Sequence, residues 1–355
     1  MHDRKINLAI AGVGNCACSL VQGIYFYGAG DDNFGIMRYD ICGYKASHIN
    51  LVGAIDVDSK KVAKDLSKAI FTEPNKATKF AEVPYLNVPV VKGQVLDGVA
   101  EHMHDRFTVD ENQRSVDVVR YLKDIRAEIL ICYLPVGSEK AAKFYAQAAL
   151  EAGVSFLNAI PVFICSTGEW DKKFSEANIP VAGDDIKSQF GATYLNRILV
   201  ENLKKRGFHI NDLYQLNIGG NTDFENMIDE KRLQSKRISK TSAVQSLYGE
   251  GEECPKLRIG PSDYVEYLGD SKICYINING TQFGNVPFEL ELKLKVEDSP
   301  NSAGIMIDAV RMLKVARDRG LKGNVKEISS FGFKHPLHQM GEDKITELLD
   351  QFLAG

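Results

Sequence analysis

Short apolar runs alternate with amphipathic segments through the first half of the chain. Ile6–Ala11 is such a run, and Asn15–Tyr27 continues from it with a helical pattern. Short apolar strands that alternate with helices are typical of a parallel sheet covered on both faces. The first half is therefore predicted to be a doubly wound α/β domain. Its other predicted strands are Leu51–Val57, Glu128–Leu134, Val154–Ala159 and Pro180–Gly183.

Two helix starts and one helix end can be placed by their capping residues. Asp58 is expected to cap a helix with an apolar face from Val62 to Ile70. Ser138 is expected to begin an alanine-rich helix that stops at Gly153, because glycine is favoured just beyond a helix C-terminus. Gly28–Asn50 and Ala69–Arg114 exceed ordinary connections, so they are predicted to fold over a cofactor or a neighbouring subunit.

The pattern changes from about Gln189. Phe288–Glu297 alternates strictly between apolar and charged residues, which predicts a strand of an antiparallel sheet with one open face. Leu213–Ile218 and Lys272–Ile278 are its candidate partners. Such a sheet is often covered by another subunit, so oligomerisation is expected. After Pro300 a helical pattern returns and is predicted to pack back onto the first domain, which gives a discontinuous domain of 1–188 with 300–355 and a second of 189–299.

Composition narrows the class of protein. The 355 residues are 44% hydrophobic and 25% charged with a net charge of -4, so a nucleic-acid partner is not expected. No apolar stretch is long enough to span a bilayer, and the polar start does not resemble a signal peptide. The seven cysteines are scattered without a Cys-x-x-Cys pair, which is typical of reduced thiols. A cytoplasmic protein without membrane contact is predicted.

A glycine turn between the first strand and helix gives the first chemical signal. Gly12, Gly14 and Ala17 fit Gly-x-Gly-x-x-Ala, with Asn15 and Cys16 at the intervening positions. The glycines permit a tight turn and a close approach to a pyrophosphate at the helix N-terminus. Asp56 ends the second strand, where a carboxylate binds ribose hydroxyls and repels a 2′-phosphate, so NAD is favoured over NADP. The alternatives are a turn that binds no ligand and a turn that binds S-adenosylmethionine or a flavin.

Lysines provide the second signal. Lys236 and Lys240 are four residues apart, so a helix places both on one face. Taken alone they fit a solvated basic patch with Lys231, Arg232 and Arg237. Lys272 and Lys334 lie instead beside glycine or aromatic residues. Because two lysines about 4 Å apart repel by roughly 1–4 kcal/mol, a site that gathers several requires an anion.

Six motifs occur in the order and rough spacing of the myo-inositol-1-phosphate synthases, and the chain resembles the shorter bacterial and archaeal members of that family. The resemblance extends from the glycine turn to near the C-terminus. The motifs are Gly183–Ser188, Gly219–Phe224, Ser235–Lys240, Gly269–Lys272, Val296–Ser302 and Phe331–Pro336.

The resemblance implies a Rossmann-like NAD domain, a catalytic and tetramerisation domain, and a homotetramer. It implies redox-neutral conversion of glucose 6-phosphate to inositol phosphate by C5 oxidation, enolisation, aldol cyclisation and re-reduction. Lys272 would transfer the proton at O5, supported by Asp270 or Asp298, and Lys236 would serve the C1 oxygen. Lys240 and Lys334 would hold the phosphate and the enolate oxygen. The remaining implied contacts are Asp184, Asp185 and Ser188 to the cofactor, Asn221 to the substrate, and Asp223 to a lysine.

Other interpretations of the residues stay open. A divalent or monovalent cation near the nicotinamide and the phosphate is a candidate second cofactor, held by Asp223 or Asp298 together with cofactor and substrate oxygens. A conventional NAD dehydrogenase of a phosphorylated small molecule would also use the glycine turn and an anion site. A non-catalytic dinucleotide sensor would bind NAD without turnover.

Overall fold

A computed structural model describes residues 4–30, 34–249 and 251–355. The strands within this part are β1 (Ile6–Ala11), β2 (Ile49–Asp56), β3 (Val90–Lys92), β4 (Ile129–Cys132), β5 (Ser155–Asn158), β6 (Pro180–Gly183), β7 (His209–Gly219), β8 (Lys256–Tyr264), β9 (Ser271–Thr281), β10 (Pro287–Glu297) and β11 (Gly323–Asn324). The helices are α1 (Asn15–Gly28), α2 (Leu66–Ala69), α3 (Val118–Asp124), α4 (Glu139–Ala152), α5 (Gly168–Glu176), α6 (Ala192–Lys205), α7 (Thr222–Asn226), α8 (Glu230–Gln245), α9 (Asp298–Asp318), α10 (Lys326–Gly332) and α11 (Glu342–Ala354).

Seven strands form one parallel sheet in the order β11-β6-β5-β4-β1-β2-β3. Its strands are apolar because helices cover both faces: α1 and α9 lie over one hydrophobic cluster, and α3, α4 and α5 over the other. The predicted doubly wound α/β architecture is confirmed. β1 and β6 have the predicted bounds, whereas the three-residue β3 gives too short a pattern to be found in the sequence.

The capping predictions had mixed outcomes. Gly153 follows α4 with φ 75°, as predicted. Ser138 precedes that helix, but its hydroxyl donates to the Pro135 carbonyl instead of capping. The prediction of a helix directly after Asp58 was wrong. The segment is held by strand-like contacts, because the Ala63 amide donates to the Val90 carbonyl at 2.8 Å, and only the short α2 forms, capped by Asp65.

The second sheet has the order β10-β9-β7-β8. β9 pairs antiparallel with β7 and β10, whereas β8 runs parallel to β7 and was not predicted. The alternation of β10 places its charged residues outward and its leucines half-buried beside α6 and α8. The predicted second, largely antiparallel sheet is confirmed.

The C-terminal part returns to the parallel sheet as predicted: α9 packs against α1, and β11 pairs with β6. α9 also holds the described part of the first insertion, since Arg311 donates to the Arg38 and Tyr39 carbonyls at 2.8 and 3.0 Å. Residues 31–33 of that insertion lie outside the described residues. Among the described helices, none is both long and apolar enough to cross a bilayer.

Candidate functional site

One large cleft of about 1860 Å³, counted to its open mouth, lies between the two sheets. Its walls come from the segments after β1, β2 and β4, and from α7, α8, β9 and the start of α9. Carboxyl ends of parallel strands are where α/β folds bind ligands. The two ends of the cleft differ in their lining: the glycine-turn end has Gly12–Ala17, and the lysine end has Lys236, Lys240, Lys272 and Lys334.

The two glycines of the turn meet different surroundings. Gly12 has φ 96°, and a Cβ there would lie 2.4 Å from the Tyr133 carbonyl oxygen, so no larger residue fits. Gly14 precedes α1, and a Cβ built on it would meet no atom within 4 Å. The open space beside Gly14 and the free amides at the start of α1 suit a pyrophosphate.

Asn15, Cys16 and Ala17 fix the first turn of α1. The Asn15 side chain accepts the Lys76 amide at 2.7 Å, which ties the second insertion to the turn. Burial raises the pKa of the Cys16 thiol to about 11, and the Ser302 hydroxyl lies 3.7 Å from its sulfur. Ala17 is fully buried under the sheet. Asn15 and Cys16 line the cleft as neutral groups.

Asp56 lines the cleft and supports the turn. Its carboxylate accepts the Val13 and Val57 amides at 2.7 Å each and the Asp58 amide at 2.9 Å. Its position beside the glycine turn is the one predicted for a ribose contact. Ser188 lines the cleft as well, packed close to Gly191 before α6.

All four predicted lysines line the cleft, and Asp185 is the carboxylate that joins two of them. Its carboxylate lies 3.3 Å from Lys236 and 3.0 Å from Lys334, and it accepts the Ser239 hydroxyl at 2.6 Å. Burial alone would raise the pKa of the Asp185 carboxyl, but the two ammonium groups hold that pKa well below its usual range. The same contacts raise the pKa of Lys236 against the effect of its burial.

The positive charges of Lys272 and Lys240 are less well neutralised by carboxylates than that of Lys236. Lys272 on β9 forms an ion pair with Asp298, the first residue of α9. Burial and the nearby Lys334 and Lys236 nevertheless lower the pKa of Lys272 to about 8. Lys240 is 7% exposed and makes no hydrogen bond or ion pair with the described residues. Burial and the three other lysines hold its pKa well below the usual range.

Asp270 and Asn221 are positioning groups behind the lysine end. The Asp270 carboxylate does not line the cleft; it accepts the Asn221 amide at 3.0 Å and the Ser299 hydroxyl at 2.8 Å. Burial raises the pKa of Asp270. Asn221 lines the cleft, but its side-chain oxygen caps α7 through the Asp223 and Phe224 amides. The structure therefore places Asp298, not Asp270, against Lys272.

Asp184 and Asp185 do not line the cleft, which differs from the predicted contact with the cofactor. Asp184 is fully buried and accepts the Asn158 amide at 2.7 Å, the Ile164 amide at 2.8 Å and the Ser166 hydroxyl at 2.7 Å. Burial raises the pKa of Asp184 to about 6. Its role is to fix the loop after β5, whereas Asp185 organises the lysines.

The predicted cation ligands do not form a metal site by themselves. Asp298 is already paired with Lys272, and Asp223 lies 3.9 Å from the Lys236 ammonium. Within the described ranges there is no group of three or more histidine, cysteine or carboxylate side chains able to hold a metal ion. The described side chains therefore do not build a metal site on their own, and the expected cation, which would also take cofactor and substrate oxygens, stays a prediction.

Several groups at the cleft were not found from the sequence. Arg232 donates to the Val136 and Asp97 backbone carbonyls, but in the sequence it was hidden in a run of basic residues. Ser239 lies within the Ser235–Lys240 motif, but nothing in the sequence indicated that its hydroxyl donates to Asp185. Residues 94–107 of the second insertion have no periodicity, yet they form one wall of the cleft. The insertion therefore lies at the candidate cofactor site, one of its two predicted places.

Known proteins match this chain over its full length. It is 47% identical over 362 residues to the inositol-3-phosphate synthase of Mycolicibacterium smegmatis, covering 100% of this chain and 99% of that protein. It is 48% identical over 362 residues to the inositol-3-phosphate synthase of Corynebacterium glutamicum, covering 99% of each. The chain belongs to the inositol-3-phosphate synthase family.

One further match agrees with this membership, and another shows the same fold. A family model described as myo-inositol-1-phosphate synthase matches residues 191–299. This range contains three of the four lysines that line the cleft. A solved structure of a myo-inositol-1-phosphate synthase-related protein from Thermotoga maritima has the same fold, with a TM-score of 0.81, 23% identity and coverage of 99% of this chain and 98% of that one. The family predicted from the six motifs is confirmed.

Proposed function

We propose that the chain converts D-glucose 6-phosphate into 1D-myo-inositol 3-phosphate without net redox change. The observation that carries this proposal is that one cleft joins a dinucleotide turn to four lysines. A dehydrogenase needs the turn and one anion site. A synthase must also stabilise negative charge at two substrate oxygens while a carbon ring closes, and the additional cations suit that task.

NAD fits the glycine-turn end. The open space beside Gly14, the N-terminus of α1 and the neutral Asn15 and Cys16 side chains leave room for a pyrophosphate, and Asp56 is placed for the adenosine ribose. Acceptance of a hydride from C5 of the sugar, and its later return, is the chemistry that NAD supplies when bound. The side chains of the lysine end handle protons and negative charge.

Lys272 is the proposed proton carrier at O5. With a pKa lowered to about 8, it is neutral in a useful fraction near neutral pH and can take the hydroxyl proton as C5 becomes a ketone. Asp298 orients it through their ion pair. Once protonated, the ammonium group stabilises the negative charge on O5 of the enolate.

Lys236 and Lys334 share the Asp185 carboxylate, which fixes the positions of both side chains. That carboxylate raises the pKa of Lys236 against the effect of burial, whereas burial and the nearby Lys236 lower the pKa of Lys334. Preorganised cations of this kind stabilise developing charge without reorganisation. Lys236 is proposed to protonate O1 when C6 attacks the C1 aldehyde, and Lys334 to bind the enolate oxygen or the phosphate. Lys240, which lacks a partner among the described residues, is proposed to bind the phosphate.

The proposed domain division follows the two sheets. Residues 1–188 and 300–355 would form the NAD-binding domain, and 189–299 the catalytic and tetramerisation domain. The four-stranded sheet leaves Tyr214, Leu216 and Tyr275 exposed on its outer face, which supports a homotetramer built on that face. Light scattering coupled to size exclusion measures the subunit number directly.

The test of function is turnover with limiting cofactor. Purified protein is incubated with glucose 6-phosphate and catalytic NAD⁺, and products are followed by phosphorus and carbon NMR together with absorbance of the reduced nicotinamide. Inositol phosphate in large excess over NAD⁺, with no steady NADH, is the expected result. Stoichiometric NADH with an open-chain keto product would establish a dehydrogenase instead, and NAD binding without product would establish a sensor.

A further inference from the structure

Residues 94–107 form a strap along one wall of the cleft, and both its ends are fixed near the end of β2. Just before the strap, the Gly93 amide donates to the Asp56 carbonyl at 2.9 Å. Just after it, the Ser59 amide donates to the Thr108 carbonyl at 2.7 Å. Because Asp56 is the residue placed for the adenosine ribose, the strap covers that part of the cofactor site. Its cleft-lining residues are Gln94, Val95, Leu96, Gly98, Val99, Ala100, Met103 and Phe107.

Arg232 of α8 holds the first half of the strap. Its guanidinium donates to the Asp97 carbonyl at 3.0 Å, to the Gly98 carbonyl at 3.4 Å, and to the Val136 carbonyl beyond β4 at 3.0 Å. A planar fork of donors suits several carbonyls at once. The Asp97 side chain in turn accepts two amides at the start of α4, at 2.8 and 2.9 Å.

Arg106 holds the second half to the other side of the cleft. Its guanidinium donates to Glu225 of α7 at 3.0 Å and to Glu266 after β8 at 3.1 Å. His102 adds a bond to the Glu225 carbonyl at 3.1 Å. The strap is therefore anchored to the parallel-sheet part of the molecule at both ends and bound in its middle to α7 and α8.

Arg232, which holds the strap, is on the same face of α8 as Lys236 and Lys240. Arg232, Lys236 and Lys240 follow one another at intervals of four residues along α8. Opening of the strap at Arg232 therefore takes place on the same rigid helix that positions the two lysines.

We propose that Arg232 and Arg106 keep the strap closed over the nicotinamide dinucleotide, so that the cofactor stays bound through a whole catalytic cycle. This inference rests on the proposed function. Oxidation moves two electrons and a hydrogen from C5 to the cofactor, and the hydroxyl proton goes to a base. A reduced cofactor that leaves at that point strands one C5 ketone for every NADH released, because no reductant remains for the final step.

The first test measures cofactor dissociation, which needs no turnover. Arg232→Met removes the three carbonyl contacts, and Arg106→Gln removes both ion pairs from the partly exposed side of the strap, where a folding defect is not expected. Arg237→Met is the control, because Arg237 is on the same helix and, within the described ranges, forms an ion pair only with Glu230, at 2.7 Å. We expect each strap variant to release NAD at least about tenfold faster, equivalent to 1.4 kcal/mol, with the control unchanged.

The second test measures how often NADH is released before the product is formed during turnover. The strap variants should release NADH together with an equal amount of keto sugar phosphate, whereas the unmodified enzyme and Arg237→Met should not. Inorganic phosphate binding, which reports the lysine end, should be unchanged in all variants. Unchanged NAD dissociation in both strap variants overturns the proposal. Absence of cyclisation in the unmodified protein overturns the proposed function instead and leaves the dissociation result interpretable.

Discussion

At one end of the cleft the chain presents backbone amides and small neutral side chains, whereas at the other it presents four lysines with too few carboxylates to pair them all. The glycine-turn end depends on shape: Gly12 packs against Tyr133, and Gly14 opens onto free space. The lysine end depends on charge, with Asp185 and Asp298 fixing three ammonium groups and Lys240 left without a partner among the described residues. Variants at the first end should alter cofactor affinity, and variants at the second should alter the chemical step.

The largest effect is expected from Lys272→Met. Removal of a proton carrier should lower kcat about 10³-fold, within the range for general acid–base groups, while NAD affinity stays unchanged. Steady-state cyclisation and calorimetric NAD binding measure the two quantities. Lys231→Met is the matched control, because Lys231 is an exposed lysine of α8. Comparable losses in both variants would mean that the lysine end has no special chemistry.

A smaller loss is expected from Asp185→Asn. Without the shared carboxylate, Lys236 and Lys334 repel each other and lose their fixed positions, so kcat/KM should fall roughly a hundredfold, or about 2.7 kcal/mol. Asp184→Asn is the comparison next to it in the chain. Among the described residues, the side-chain carboxylate of Asp184 accepts hydrogen bonds from uncharged donors at the end of β5 and in the loop after it, so this variant should lower Tm with little change in KM. The reverse pattern would contradict the roles assigned to the two aspartates.

The glycine-turn end should respond to Gly14→Ala with weaker NAD binding alone. Alanine adopts the local φ of -98° easily and meets no protein atom, so Tm should stay constant. Its methyl group points into space meant for the pyrophosphate, and Kd for NAD should rise roughly tenfold. Gly12→Ala should lower Tm as well, since its Cβ would lie 2.4 Å from the Tyr133 carbonyl oxygen. Unchanged NAD affinity in Gly14→Ala would place the pyrophosphate elsewhere.

The smallest effect concerns pH. If Lys272 acts as the base, kcat/KM should rise with pH and level off near the pKa of about 8. The stability contribution has a defined sign. Since the folded-state pKa of Lys272 lies below the ordinary lysine pKa of 10.5, the unfolded chain binds more protons between these two pKa values, and the free energy of unfolding should increase as pH rises across that window. pH–rate profiles of the unmodified enzyme and Asp298→Asn, with denaturation at matched pH values, measure both.

The sequence allowed much of the first end to be predicted and less of the second. Local patterns placed β1, the glycine turn and α1, because a strand, a turn and a helix that are consecutive need no distant partner. The lysines were found through the family motifs. Asp298 was one of two partners expected for Lys272, but the pairing of Lys236 and Lys334 through Asp185 was not predicted, because it depends on contacts between α8, the segment after β6 and the segment after α10. Asp184 and Asp185 show the limit most clearly: they are neighbours, but Asp185 has φ 61°, and their side chains enter different environments.

The long sequence separation between Lys334 and Asp185 has a consequence for the time at which activity can first arise during synthesis. Their hydrogen bond joins residues 149 positions apart, and β11 is separated from its partner β6 by the whole second sheet and by α9. Contacts of such long sequence separation form late and carry a large loop-closure cost. A nascent chain can therefore fold its glycine turn early, but it has no complete lysine end until Lys334 has left the ribosome.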